Sequence, residues 1–571
     1  MLFVEGSLTA IACAVAFAWP RLGAGWFLLI ERAFGRFARR RMLAVAAIGM
    51  SVLVGRMAIL HWFPIPLPFI PDDFSFLLGA DTFAHGRLTN PTPALWVHFE
   101  TIHVDMLPTY MSMYFPGQGL VLAAGKVLLG NPWFGVLISG ALMCAGVCWM
   151  LQAWLPPGWA LLGGMIAVLR LGLFSYWMNT YTGGGFIAAL GGALVLGSLP
   201  RLMKTSRLRF GLLMAVGIGL LVVTRPYEGM LLCLPVAVVL GHWMSCGKNR
   251  PSWPILIRRA ALPVALIAAS IAWLGFYDYR AFGNSATLPY TVNRTTYAIA
   301  PYYVWQHRRS EPAYRHESIR NFYNGAELKG FAKFETPIGF IGATSLKVAE
   351  PLLFFAGFVL LPPLFMIRRV FMDRRVRFLV LSVVFLALGM VIQIFLIPHY
   401  LAPFTATFYV IGLQAMRHLR VWTAEGRPVG LALVRMTFPL CLLLVAVRLF
   451  SSPLHLVVPE WPPSNWSWNW YGPDLYGSER AQIESSLENL PGKQLVIVRF
   501  GPQRNDLDQW VYNSADIENS KVIWAQEMDA AEDLDLMHHY RDRKAWLVRM
   551  DEEPASISPY HIPEPVTMSG R

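Results

Sequence analysis

A chain of 571 residues, of which 55% are hydrophobic and only 15% charged, is too apolar and too lightly charged for an ordinary soluble protein. The apolar residues come in runs of roughly 17–24, separated by short basic turns, which is the pattern of membrane-spanning helices. A net charge of +13 would suggest nucleic acid in a soluble chain, but here the basic residues sit in the turns, and nucleic acid is not an expected partner.

In chain order the pattern predicts about twelve spans. They cover 7–30, 42–62, 132–152, 157–173, 183–199, 210–224, 228–241, 260–280, 348–368, 378–397, 400–416 and 429–450. The first is expected to stay uncleaved, because no basic segment precedes it. Two pairs of short spans meet at polar breaks, Thr224–Glu228 and Pro398–Tyr400, and polar backbone at such depth belongs against protein or a wet cavity. Arg170 lies inside an apolar span, either paired with a carboxylate or reaching outward. The glycine clusters Gly163-Gly164, Gly183-Gly184-Gly185 and Gly191-Gly192 read as close helix packing, since no Lys-Ser/Thr follows them. Five of the six cysteines fall in apolar spans and Cys246 in a basic loop, so no disulfide framework is expected.

Basic loops at 31–41, 200–209, 242–259, 368–377 and 417–428 alternate so as to share one side, expected to be the cytoplasm. An external loop at 63–119, a second at 281–347 and everything after about 451 then lie outside. The expected division is a transmembrane domain over 1–450, a Pro- and Trp-rich linker over 451–477, and an α/β domain over 478–571. The fold class is an all-α polytopic membrane protein carrying this small extracytoplasmic domain. The second loop is rich in tyrosine and arginine and reads as an interfacial cap.

The first external loop holds the chemistry. Pro71–Gly119 carries the carboxylates Asp72, Asp73, Asp81, Glu100 and Asp105, three histidines, and Arg87 as its single basic residue. Asp72-Asp73 follows the Pro-rich end of a span and opens a helix-like stretch. One carboxylate there would serve as a helix cap; the second points elsewhere, and general-base work on a hydroxyl is what an adjacent carboxylate is suited for. His85, His98, His103 and Asp105 are potential metal ligands without a metal-binding spacing; no cofactor is expected, with a divalent ion as the alternative.

The order of basic loop, apolar span, Pro-rich stretch and PDDFSFLLGADTFAHGRL resembles the polyprenyl-phosphate-sugar glycosyltransferases of the GT-C superfamily, and within it the bacterial protein-mannosyltransferase-like branch. The resemblance covers about residues 42–416, and Tyr114–Gly119 is similar to the Pro-Pro element that leads such chains back into the membrane. It implies a cell-envelope enzyme of the bacterial inner membrane. Such an enzyme moves a hexose or pentose, with inversion, from a polyprenyl-phosphate carrier to a lipid, glycan or protein outside. It implies Asp72 as base and Asp73 as its support or as a contact to a substrate hydroxyl. Family members often carry a Lys before the Pro-Pro element to hold the donor phosphate, whereas this chain has Ser112-Met113-Tyr114-Phe115. Candidate substrate contacts are therefore sought in His85, Arg87, Tyr114, Gln118, Arg225, Glu228, Arg294, His399 and Tyr400, with an Arg225–Glu228 ion pair as the structural rival for that pair. A transporter or flippase of a lipid-linked or anionic substrate, and a ligase or polymerase using a diphosphate-linked donor, are the alternative readings.

Overall fold

The computed structural model describes residues 1–247, 250–451, 454, 468–472, 477–501 and 508–560. The helices of the first half are α1 (Leu2–Ala18), α2 (Ala24–Ala38), α3 (Arg41–Ala58), α4 (Pro71–Ala84), α5 (Pro116–Leu129), α6 (Trp133–Trp154), α7 (Pro157–Ala167) and α8 (Gly185–Thr205). They are followed by α9 (Leu208–Thr224), α10 (Pro226–Cys246), α11 (Trp253–Phe282), α12 (Pro289–Tyr297), α13 (Pro337–Phe355), α14 (Arg377–Val391), α15 (Thr405–Arg420) and α16 (Val429–Ser451). Seven of them, α3, α6, α8, α10, α11, α13 and α16, are long and apolar enough to cross a membrane. Shorter apolar helices, α1, α5, α7 with its π-turn to Gly172, α9 and α14, pack among them. The chain is a multi-pass helical membrane protein.

Where the expected spans shift, prolines and glycines account for it. The run 7–30 is not one span: Pro20 removes a backbone donor and stops α1, Gly23 turns the chain at φ 65°, and α2 starts anew. The expected 348–368 becomes α13, which begins at Pro337 and ends before Gly357 (φ 59°), with Pro362-Pro363 beyond it. The expected 400–416 loses its first turn to a tight 3-10 segment, Pro398–Phe404, before α15. Arg170 is buried and pairs with Glu5 of α1 at 2.9 Å, which resolves its two readings in favour of the ion pair.

The basic loops gather at one pole. Glu31 of α2 pairs with Arg435 (2.9 Å) and Arg420 (3.7 Å), Gln152 donates to the Arg41 carbonyl, Arg201 to that of Trp149, and Arg259 to that of Ser206. The opposite pole carries α4, the small antiparallel pair β1 (Val104–Asp105) and β2 (Met111–Ser112), α12, and the C-terminal domain.

That domain runs α17 (Ser478–Glu488), β3 (Lys493–Arg499), β4 (Val522–Gln526), α18 (Ala530–His539), β5 (Arg543–Arg549) and β6 (Ser556–Pro559). Its sheet order is β4-β3-β5-β6, with β3 parallel to both neighbours and β6 antiparallel to β5. Leu495–Val498 on the central strand is buried throughout, as a strand covered on both faces requires. The domain sits on the first loop: the Ala515 N–H donates to Asp81 (2.8 Å), Gln526 Nε2 to the Glu100 carbonyl (2.5 Å), and Tyr512 stacks on Phe74 at 4.4 Å. Most of the 451–477 linker, and the chain after 560, lie outside the described residues.

Candidate active site

The Pro-rich stretch before α4 stays extended, and Arg56 anchors it by donating to the Phe63 and Pro64 carbonyls (2.7 and 3.1 Å) and to Asn179 Oδ1 (3.1 Å). Ile70 is extended and Pro71 occupies the first helical position, where its missing N–H costs nothing. Successive helical residues then point about 100° apart, so Asp72, Asp73 and Phe74 meet three different surroundings.

Asp73 is completely buried. Its Oδ1 accepts the Tyr181 N–H at 2.9 Å, and the amides of Phe69 and Ile70 face its carboxyl, the reach-back of a third-position helix cap. Burial pushes its pKa up to about 7, with the Asp72 charge adding and the amides opposing.

Asp72 remains 28% exposed. The Tyr114 hydroxyl donates to Asp72 Oδ1, and His103 Nδ1 lies 3.1 Å from that hydroxyl and 3.7 Å from Asp72 Oδ2. Tyr114 is fixed by stacking on Phe76 at 4.3 Å. His103 holds a left-handed backbone (φ 64°), unusual for a non-glycine residue. Its carbonyl is pinned by Ser75 Oγ (2.7 Å) and the Met113 N–H (3.2 Å), and its ring by the edge of Phe322. Burial lowers the imidazole pKa against the pull of Asp72 and Glu327, so the ring is neutral at neutral pH. The sequence offered His103 only as a metal ligand; the structure makes it a neighbour of the acidic pair.

The hub of the site is Tyr181–Gly184, just before α8. Asp73 holds the Tyr181 N–H, Gln118 Nε2 donates to the Tyr181 carbonyl (2.9 Å), and Arg225 Nη2 donates to the Gly183 carbonyl (2.8 Å). Gly183 has φ 81°, and a Cβ there would lie 2.6 Å from His399 Nδ1. Positive φ and close approach, beyond helix packing, are what glycine supplies at this position. His399 Nδ1 and backbone N–H both meet the Tyr176 hydroxyl, at 2.8 and 3.0 Å. The Arg225 guanidinium lies over the Tyr400 ring, 4.6 Å from its centre, and Tyr400 lies within electrostatic reach of both Arg225 and Asp72. Tyr290, read in the sequence only as part of the aromatic interfacial cap, bonds to Tyr400 and stands 6.0 Å from Tyr114, ring centre to ring centre.

Other candidates lie elsewhere or are occupied. His85 is exposed and faces Asp81, and both it and Arg87 lie near Asp516 of the C-terminal domain. Arg294 is buried, ion-paired with Glu327 and donating to the Ala300 carbonyl. Glu228 is buried near Arg225, yet no ion pair closes between them. His98 is sequestered under the C-terminal domain against Gln526. Asp105 is bonded to Asn293 (3.0 Å) and raised to about 8 by burial. Among the described residues no group of three or more His, Cys, Asp or Glu is gathered as a metal site.

Beside the hub, an apolar cavity of about 320 Å³ opens between α13, α14 and α15. Leu396 and Leu401, which flank His399-Tyr400, line it together with Phe355, Met390 and Phe408, and Lys347 lies at its edge.

No protein-family profile matches the chain, and no curated protein does. Solved structures similar to it include ArnT from Cupriavidus metallidurans bound to undecaprenyl phosphate, at 13% identity and TM-score 0.47 over 91% of this chain and 97% of that one. The apo state of the same protein aligns at 14% identity and TM-score 0.46, over 88% and 93%. The oligosaccharyltransferase AglB from Archaeoglobus fulgidus, in complex with an inhibitory peptide and a dolichol-phosphate, aligns at 10% identity and TM-score 0.44, over 90% and 69%.

Proposed function

We propose that the protein is an inverting membrane glycosyltransferase of the GT-C type, moving a sugar from a polyprenyl-phosphate carrier to an acceptor on the extracytoplasmic side. The observation that carries this reading is the partly exposed Asp72 carboxylate, oriented by Tyr114 and His103 and connected through Tyr114 and Tyr290 to the Tyr400–Arg225 pair beside an apolar cavity. That the catalytic loop and C-terminal domain lie at the pole opposite the basic loops supports an extracytoplasmic location under the positive-inside rule.

In this mechanism Asp72 takes the proton of the acceptor hydroxyl, whose oxygen attacks the anomeric carbon from the face away from the phosphate. The bond from that carbon to the phosphate oxygen breaks, and its electrons leave on the polyprenyl phosphate. Arg225 has one guanidinium nitrogen on Gly183; its other donors take the role of the missing lysine in meeting that charge. The cavity lined by Leu396, Leu401 and Phe408 receives the first isoprene units of the carrier. Asp73 and Gln118 do not touch substrate: they fix Tyr181 and through it the hub.

The test is a donor assay. Purified protein in nanodiscs is incubated with radiolabelled polyprenyl-phosphate sugars, and free polyprenyl phosphate is followed for wild type and Asp72→Asn. Release by wild type alone supports the reading. Release from no monophosphate donor by folded protein, with uptake into sealed vesicles and no covalent product, replaces it with transport.

A further inference from the structure

The helix α2 sits at the basic-loop pole without crossing the membrane domain. Its start follows α1, whose Phe17 carbonyl accepts from Arg427, and its end meets α3, whose Arg41 carbonyl is bound by Gln152 of α6. Both flanks therefore lie at the same pole, and a helix with both ends at one pole runs along the surface.

Its fifteen residues divide among three faces. Phe27, Glu31, Phe34 and Ala38 recur at helical spacing and turn inward: Phe34 and Phe37 pack on the core, Ala38 is buried, and Arg435 lies over the Phe27 ring while pairing with Glu31. Trp26, Leu29, Ile30 and Ala33 form a second, outward face, with Trp26 76% and Ile30 60% exposed. Arg32 and Arg36, joined by Arg39 and Arg40 just past the helix end, form a third face, all exposed. The helix's one acid, Glu31, is spent inward on Arg435 and Arg420, so nothing on α2 neutralises the basic face.

We infer that α2 is an interfacial helix that binds anionic phospholipid headgroups of the leaflet on the basic-loop side. Apolar side chains beside a line of arginines are the arrangement that lies in the headgroup plane, the former dipping toward the acyl chains and the latter meeting phosphate. Arginine suits this role because its planar fork pairs phosphate bidentately. The site is independent of the catalytic pole and of the donor reading.

The experiment uses the full-length protein extracted from bilayers containing both phosphatidylcholine and phosphatidylglycerol, with retained lipid counted by mass spectrometry. Wild type is expected to retain phosphatidylglycerol severalfold over its share of the mixture, and the Arg32→Gln, Arg36→Gln, Arg39→Gln, Arg40→Gln variant to lose that preference. A control variant neutralising Arg368, Arg369, Arg374 and Arg375, also at the basic pole, is expected to keep it. Equal enrichment in wild type and the α2 variant overturns the proposal, as does equal loss in both variants, which would reduce the effect to bulk charge. A fluorophore at Ala33→Cys, in a background lacking the six native cysteines, supplies the second readout. Quenching by lipid-borne spin labels with shielding from aqueous iodide supports the interfacial placement; free quenching by iodide overturns it.

Discussion

Asp72 and Asp73 are adjacent in the chain and opposite in circumstance: one carboxyl is 28% exposed against Tyr114 and His103, the other is fully buried against the Tyr181 amide. A single helical step of about 100° separates a carboxyl open to solvent from one that holds the walls in position.

In the proposed mechanism the proton-taking role falls to Asp72 alone. Asp72→Asn should lower turnover by about 10²–10⁴, the usual weight of a general base, with an unchanged melting temperature. Asp73→Asn keeps an acceptor for the Tyr181 N–H and should retain a measurable fraction of turnover. Parallel initial-rate and thermal-shift measurements separate the two. Full activity in Asp72→Asn would remove the residue from the mechanism.

Asp73 also sets a pH dependence of stability. Its folded pKa of about 7 exceeds its unfolded value of 3.8, so the folded state holds this proton more tightly. The stabilisation is whole below about pH 4 and is lost as pH rises through about 7, by an amount on the order of 4 kcal/mol at most. Unfolding midpoints of wild type should fall across that window relative to Asp73→Asn. Parallel curves for the two proteins would contradict the assignment.

His103 offers a separation of strain from chemistry. Glycine relieves its left-handed backbone while giving up the imidazole's contacts with Phe322 and Tyr114, so the stability lost in His103→Gly should be smaller than for a non-glycine truncation at the same φ. The same variant should lose turnover, because Tyr114 is no longer braced toward Asp72. His103→Ala should be less stable than His103→Gly, and comparing the two melting curves with their kcat values is the check.

For Arg225 the expected signature is in the donor. Arg225→Ala should raise the donor KM by about tenfold or more through loss of a charge-assisted contact. Arg225→Lys should recover little, since an ammonium cannot both bond the Gly183 carbonyl and lie flat on Tyr400. A lysine variant with wild-type KM would show that charge alone suffices.

Much of the architecture was legible because apolar runs and basic turns are coarse signals, and the gathering of the basic loops at one pole followed from their alternation. The α/β alternation after Ser478 was equally plain, apart from the edge strand β6. Local punctuation was harder. Pro20 cuts what reads as one span, and α2 becomes visible only when the resulting helix is followed along the surface. Within the site, Asp72, Tyr114, Gln118, Arg225, His399 and Tyr400 converge, while His85 and Arg87 end beside Asp516. The convergence runs through the backbone of Tyr181–Gly184, whose N–H and C=O groups carry no signature in a sequence. A Gly-Gly-Gly run at a helix start reads as packing until two of its members are found at positive φ.

The contacts between the first loop and the C-terminal domain have a consequence for how the protein is made. Asp81 awaits the Ala515 amide and Phe74 awaits Tyr512, partners more than four hundred residues downstream. When the ribosome has delivered Asp72 and every membrane helix, the loop that carries it still lacks its roof. The last stretch of polypeptide must fold onto the loop before these contacts close, so under the proposed function a chain that stops before Ser478 is expected to form its membrane helices and show no turnover.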